Sequence, residues 1–202
     1  MANAENQSIR GLEGTRERIL RAALQLISEE GMPAVSNRRL AAEAGVALGS
    51  LTYHFPSQVD LLNESLLLLV DETVTRIREL ATAIRESEMS IAQVAEDTGE
   101  VMRNSGMVNR SLAEMELHLQ SARQPELREA SIRCFDAYDD LATAVLESLG
   151  VERAADRAPA VVALLLGAAV RQLGTGQRDA STVTRALMAM AAGVGAVDKP
   201  DG

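Results

Sequence analysis

The sequence predicts an all-α protein, and three observations carry that expectation. Apolar residues recur every three or four positions through almost the whole chain, the spacing that lines one face of a helix. No stretch alternates apolar and polar residues between turn signals, as a half-buried strand would. Breakers fall at intervals suited to helices: Gly31 with Pro33, Gly45, Pro56, then positions near Ser87, Gly106, 124–125, Gly150 and the GTGQ at 174–177.

Taken in order, residues 1–10 are polar and aperiodic and read as a mobile tail. From Thr15, a suitable N-cap, the residues Ile19, Ala22, Ala23, Leu26 and Ile27 form the apolar stripe of a first helix, which Gly31 and Pro33 end. Ser36 can cap a short second helix with Leu40, Ala41 and Ala44 on its inner face, and Gly45 suits the left-handed position beyond its end. A third short helix runs from about Leu48 to His54. Pro56 breaks it, and Ser57 caps a long fourth helix containing LLNESLLLLV. Further helices are expected at about 90–104, 109–122, 125–149, 155–174 and 180–195.

One segment concentrates a scarce resource. The 202 residues hold no Trp, two Tyr and two Phe, yet Tyr53 and Phe55 both sit in GVALGSLTYHF at 45–55. Two short helices joined by a glycine turn and braced by a preceding helix form the pattern of a helix-turn-helix. Leu51 and Phe55 are expected to point inward. Ala47, Gly49 and Ser50 are small enough to let the third helix approach a duplex closely. Tyr53 and His54 can donate to phosphate oxygens, and Ser50 and Thr52 to bases or phosphates. Leu48 or the Thr52 methyl can touch a thymine methyl. The same corner also occurs in helical proteins that bind no nucleic acid, where Tyr53 and His54 would merely cover the edge of the domain.

Charge leaves the partner open. The net charge of −9 argues against a nucleic-acid ligand, but it is unevenly spread. Residues 1–60 carry six Arg against seven acidic residues, and residues 61–202 carry fourteen basic against twenty-two acidic. One cysteine, Cys134, rules out an internal disulfide and reads as a buried thiol, so a reducing cytoplasm fits. No basic stretch followed by an apolar core opens the chain, so no secretory signal is expected. The longest nearly uncharged run, 158–170, reads as too short to span a bilayer, and no membrane partner is expected. Enzymatic readings find little. Ser50, His54 and Asp60 have the residue types of a triad but not its arrangement, and two histidines with one cysteine make no recognisable metal site. No phosphate-binding glycine signature follows a strand, and no cofactor is implied.

The stretches TRERILRAALQLISEEG (15–31), SNRRLAAEAGV (36–46) and GSLTYHFPSQVDLL (49–62) resemble the DNA-binding domain of the TetR family of bacterial transcriptional regulators. The resemblance covers residues 13–73, with the helix-turn-helix at 36–55. It implies a DNA-binding set of Ser36, Arg38, Arg39, Ala47, Leu48, Ser50, Thr52, Tyr53 and His54. Tyr53 and His54 fall where the family usually meets phosphate, and Ser36 at a capping position often used against phosphate. The sequence also departs from the family's pattern. Ala47 stands for a frequent Ser, Leu48 for Lys or Arg, Thr52 for Tyr and Gln58 for Lys, each removing a phosphate partner, so a shallow salt dependence is expected.

The resemblance further implies that residues 74–197 form a helical ligand-binding and dimerisation domain. VVALLLGAAVRQL and VTRALMAMAAGVGAV are richer in apolar and small residues than one buried face needs, which suits a helical bundle across a two-fold axis. Met102, Met107, Met115, His118, Phe135 and Tyr138 are the candidate effector contacts, though each of the methionines also suits an ordinary core. The expectation is a homodimeric repressor that binds a double-stranded DNA operator and is released by an unidentified small-molecule effector. The alternative is an all-α ligand-binding or interaction protein that has lost DNA binding.

Overall fold

A computed structural model describes residues 2–86 and 107–176, with side chains at 14–86 and 112–176. Among the described residues all regular structure is helical: α1 (Ala2–Glu30), α2 (Asn37–Glu43), α3 (Leu48–His54), α4 (Gln58–Glu86), α5 (Met107–Ser121), α6 (Arg128–Ser148) and α7 (Ala154–Thr175). Single 3-10 turns at Met32–Ala34 and Pro125–Leu127 join α1 to α2 and α5 to α6. The expected all-α class is therefore the observed one.

The chain divides into two compact units, residues 1–77 with 92–136 and residues 78–91 with 137–202. In the first, Ile19, Ala23 and Ile27 of α1 are buried with Leu40 of α2, Leu51 of α3, Leu61, Leu66 and Val70 of α4, and Ala113 and Leu117 of α5. Removing this much aliphatic surface from water is what fixes helices as short as α2 and α3, which in isolation are too short to persist. Polar ties join the same elements. The Asn63 amide donates to Gln124 Oε1 at 2.7 Å, and Arg133 donates to Asp71 at 2.6 Å. The Thr73 hydroxyl meets Glu114 at 3.4 Å.

The second unit is built on small residues. Ala81, Ala137, Ala142, Ala144, Ala154 and Ala158 are all buried there, so backbones can approach closely. Arg85 pairs with Asp140 at 2.5 Å, and that contact holds the Asp140 carboxyl below its ordinary range.

Several boundaries differ from expectation. Helix α1 begins at Ala2, so the polar stretch is helical rather than a loose tail and Thr15 lies within the helix instead of capping it. Ala, Glu and Gln are good helix formers, and extending an anchored helix is far easier than starting one. The segment expected as one helix over 125–149 opens with a 3-10 turn at Pro125–Leu127, where the Leu127 N–H bonds Gln124 O at 3.1 Å, and the α-helix begins only at Arg128. The uncharged run 158–170 is only part of a 22-residue helix. By length and composition alone α7 is long and apolar enough to cross a membrane, with a mean hydropathy of 1.4 in its best window. Only 11% of that window is buried in the single chain. The expected helices at 90–104 and 180–195, and Met102, lie outside the described residues.

Candidate nucleic-acid interface

The helix-turn-helix is assembled from local signals that the sequence displays. Ser36 is extended and its Oγ accepts the Arg39 N–H at 3.4 Å, capping α2. Gly45 takes φ +62°, and the helix end closes by two crossed bonds: Val46 N–H to Ala41 O at 2.9 Å and Gly45 N–H to Ala42 O at 3.3 Å. Glycine takes this left-handed conformation without a side-chain penalty, which suits it to so sharp a turn. Helix α3 starts at once, with Ser50 N–H bonded to Ala47 O at 2.9 Å. After Pro56, Ser57 Oγ accepts the N–H groups of Val59 at 3.2 Å and Asp60 at 3.4 Å, starting α4.

Helix α3 has two sharply different faces. Leu51 is 2% exposed and Phe55, just past its end, 5%. Tyr53 is 71% exposed and Leu48 54%, while Ala47, Gly49 and Thr52 are also exposed and Ser50 is half-buried. His54 is half-buried. Its ring meets the Tyr53 ring edge-on at 5.2 Å and lies 6.5 Å from Phe55. The anchored Phe55 thus supports His54, and His54 in turn flanks Tyr53. Beneath them the Arg16 guanidinium sits 4.9 Å from the centre of the Phe55 ring and also pairs with Glu64.

The expected contact residues divide into free and committed groups. Arg39 is committed: it pairs with Glu30 at the end of α1, where it holds the Glu30 carboxyl below its ordinary range, and donates to Ala34 O at 3.4 Å. Arg38 is exposed and makes no ion pair with a described residue. The Thr52 hydroxyl donates to Gly49 O at 3.0 Å, so its hydrogen is already used. Gln58, which stands where the family often has Lys, donates its amide to Val35 O at 2.7 Å and clips the start of α4 to the loop before α2. The sequence could not reveal this clip, since the two residues lie 23 apart in the chain.

Glu116 was also missed. Its Oε1 accepts the Met32 N–H at 3.3 Å, just after Gly31, whose φ is +81°. A carboxylate from α5 thereby satisfies a backbone donor at the end of α1, 84 residues away. No local pattern signals such a contact.

Of the candidate effector contacts, His118 and Phe135 are brought together. Their rings stack at 4.6 Å with planes 24° apart, and His118 Nδ1 lies 2.7 Å from Ser131 Oγ. Burial pushes the imidazole pKa below its ordinary value, which favours the neutral ring. Met115 is half-buried on the same helix as His118. Tyr138 belongs to the second compact unit, and the side chain of Met107 lies outside the described ones. Cys134 is buried and its thiol is pushed up to about 12, chiefly by desolvation, so it is a packed group and no nucleophile at neutral pH. A cleft of about 190 Å³ between α1 and α4 is lined by Arg21, Leu24, Gln25, Ser28, Leu69 and Glu72, and contains none of these candidates. It is smaller than the roughly 300–1,000 Å³ usual for small-molecule sites.

Two family models match the chain. One, described as bacterial regulatory proteins of the tetR family, covers residues 19–65, and the other, described as a tetracyclin repressor-like C-terminal domain, covers residues 89–193. The HTH-type transcriptional regulator PksA of Bacillus subtilis is 36% identical over 66 residues, which span 33% of this chain and 32% of that relative. Among solved structures, the multidrug binding protein EbrR complexed with ethidium is similar at 26% identity and a TM-score of 0.60, over 86% of this chain and 96% of its own. A TetR-family member from Streptomyces coelicolor A3 is similar at 28% identity and a TM-score of 0.61, again over 86% and 96%.

Proposed function

Because the chain belongs to the TetR family of transcriptional regulators, a DNA-binding and non-enzymatic class, we propose that it is a homodimeric repressor released from its operator by a small organic molecule. The observation that carries this reading is the division of α3: Leu51 and Phe55 are buried while Tyr53, flanked by His54, stands out from the surface. A tyrosine so exposed loses its packing value and gains reach toward a phosphate backbone. Residues 13–73 contact DNA through Ser36, Arg38, Ser50, Tyr53 and His54, and residues 74–197 hold the effector and the dimer interface. Arg39 pairs with Glu30 at the end of α1, with both side chains nearly half exposed.

Dimerisation follows from two needs. Two recognition helices meet successive major grooves only when spaced about 34–36 Å apart. The largely uncovered apolar surface of α7 gains most from a second copy. The similar protein EbrR is a multidrug binding protein seen with ethidium, and in this chain the stacked His118 and Phe135 rings form an aromatic pair suited to a planar organic effector. The effector shifts the dimer toward a spacing that no longer fits the half-sites, and DNA affinity falls by its differential binding energy.

Tyr53→Phe combined with His54→Ala tests the assignment. Gel-shift titration against the protein's own upstream region shows weakened binding, while circular dichroism and gel filtration show unchanged helicity and dimerisation. Unaltered affinity refutes the roles given to both residues. The rival reading, a ligand-binding protein without DNA affinity, draws on the net charge of −9 and the commitment of Arg39 and Gln58 elsewhere. Fluorescence anisotropy with the same region at moderate salt separates the two, since that rival shows no sequence preference.

A further inference from the structure

The exposed face of α3 is poor in groups that read base edges by hydrogen bonding. The exposed Leu48, Gly49, Thr52 and Tyr53 and the half-buried Ser50 include no charged and no amide side chain, only hydroxyls. The Thr52 hydroxyl hydrogen is taken up by Gly49 O. The nearby long polar chains of Arg39 and Gln58 are held by Glu30, Ala34 and Val35. In a major groove, guanine is usually read by Arg or Lys, adenine by Asn or Gln, and cytosine by Glu or Asp. The apolar group among the base edges is the C5-methyl of thymine.

Leu48 opens α3 and is more than half exposed. Pressed against a polar base edge, its isobutyl group would strip water from donors and acceptors and return no hydrogen bond, which is costly. Pressed against a thymine methyl, both partners lose apolar surface to water, which is favourable. Resting on the DNA-binding reading above, we propose that Leu48 is a specificity-determining residue that recognises the C5-methyl of a thymine in each operator half-site. The departure from Lys or Arg at this position exchanges a phosphate contact for a base contact. The protein then gains in sequence discrimination what it lacks in charge.

The test starts from duplexes with a randomised core, selected on the purified full chain. The enriched duplex is resynthesised with deoxyuridine replacing each thymidine in turn, which deletes only the C5-methyl group. One thymine position per half-site is expected to show about a fourfold loss of affinity, equivalent to about 0.8 kcal/mol for a methyl-sized group. Leu48→Ala is expected to bind more weakly and to show no uracil penalty at that position, while its circular dichroism stays that of the parent. An enriched site that tolerates uracil at every position overturns the inference and leaves DNA binding standing. So does a Leu48→Ala protein that keeps the full uracil penalty, since another residue then reads the methyl. A selection that enriches no sequence overturns the DNA-binding reading itself, and this inference with it.

Discussion

Leu51→Ala probes how firmly α3 is seated. The side chain is 2% exposed and faces the core of the first compact unit. The substitution deletes three buried carbons, worth roughly 2.4 kcal/mol at about 0.8 kcal/mol each. The unfilled space left behind raises the cost to about 3 kcal/mol, within the range seen for buried leucines. For a chain of this size each kcal/mol lowers Tm by about 2–4 °C, so the melting temperature is expected to fall by about 6–12 °C. Leu48→Ala, on the exposed face of the same helix, is the matched control and is expected to stay within about 0.5 kcal/mol of the parent. Thermal unfolding by circular dichroism measures both. A seven-residue helix has little stability of its own, so Leu51→Ala is also expected to weaken operator binding although Leu51 touches no DNA. If the two alanine variants melt together, the inward and outward faces of α3 have been assigned wrongly.

Ser36→Ala removes the side-chain acceptor that caps α2 and is expected to cost about 1 kcal/mol; a denaturant midpoint equal to the parent's would show that the long 3.4 Å bond contributes nothing. Burial lowers the His118 pKa, so below about pH 6.5 the unfolded chain binds a proton more readily than the folded one. The stability tied to His118 is therefore complete above the unfolded value and is lost as pH falls through the folded one. Melts between about pH 7 and pH 5 are expected to drop more steeply for the parent than for His118→Gln, and parallel slopes would contradict this. The Cys134 thiol, pushed up to about 12 and buried, is expected to resist a thiol-specific reagent at neutral pH and to react fully in denaturant; rapid reaction of the native protein would mean that α6 opens easily.

The helix-turn-helix was legible because each of its signals is local. Ser36, Gly45, Pro56 and Ser57 act on backbone groups within a few residues of themselves, and all four do what their types suggest. The inward set of Leu51 and Phe55 followed from helical spacing alone. The start of α1 was misread because polarity was taken for disorder, while the helix propensity of Ala, Glu and Gln needs only an anchored neighbour to express itself. What stayed hidden was every contact made across long stretches of chain. The sequence offers Arg39 as a phosphate contact or a solvated surface group, and its ion pair with Glu30 has no local mark because Glu30 lies on another element; the Gln58 bond to Val35 O likewise carries none. The pairing of His118 with Ser131 and Phe135 likewise depends on how α5 and α6 fold back on each other.

The Glu116 bond to Met32 has a practical meaning for anyone splicing regulators together. A hybrid carrying residues 1–77 on a foreign body would leave behind Glu116, Gln124 and the buried Leu117, all supplied by the same compact unit. Such a graft inherits an unquenched amide at Met32 and an uncovered strip along α1. Transplanting 107–136 together with the head restores both. The portable cassette in this chain is therefore discontinuous, and the reading head travels only with the helix that braces it.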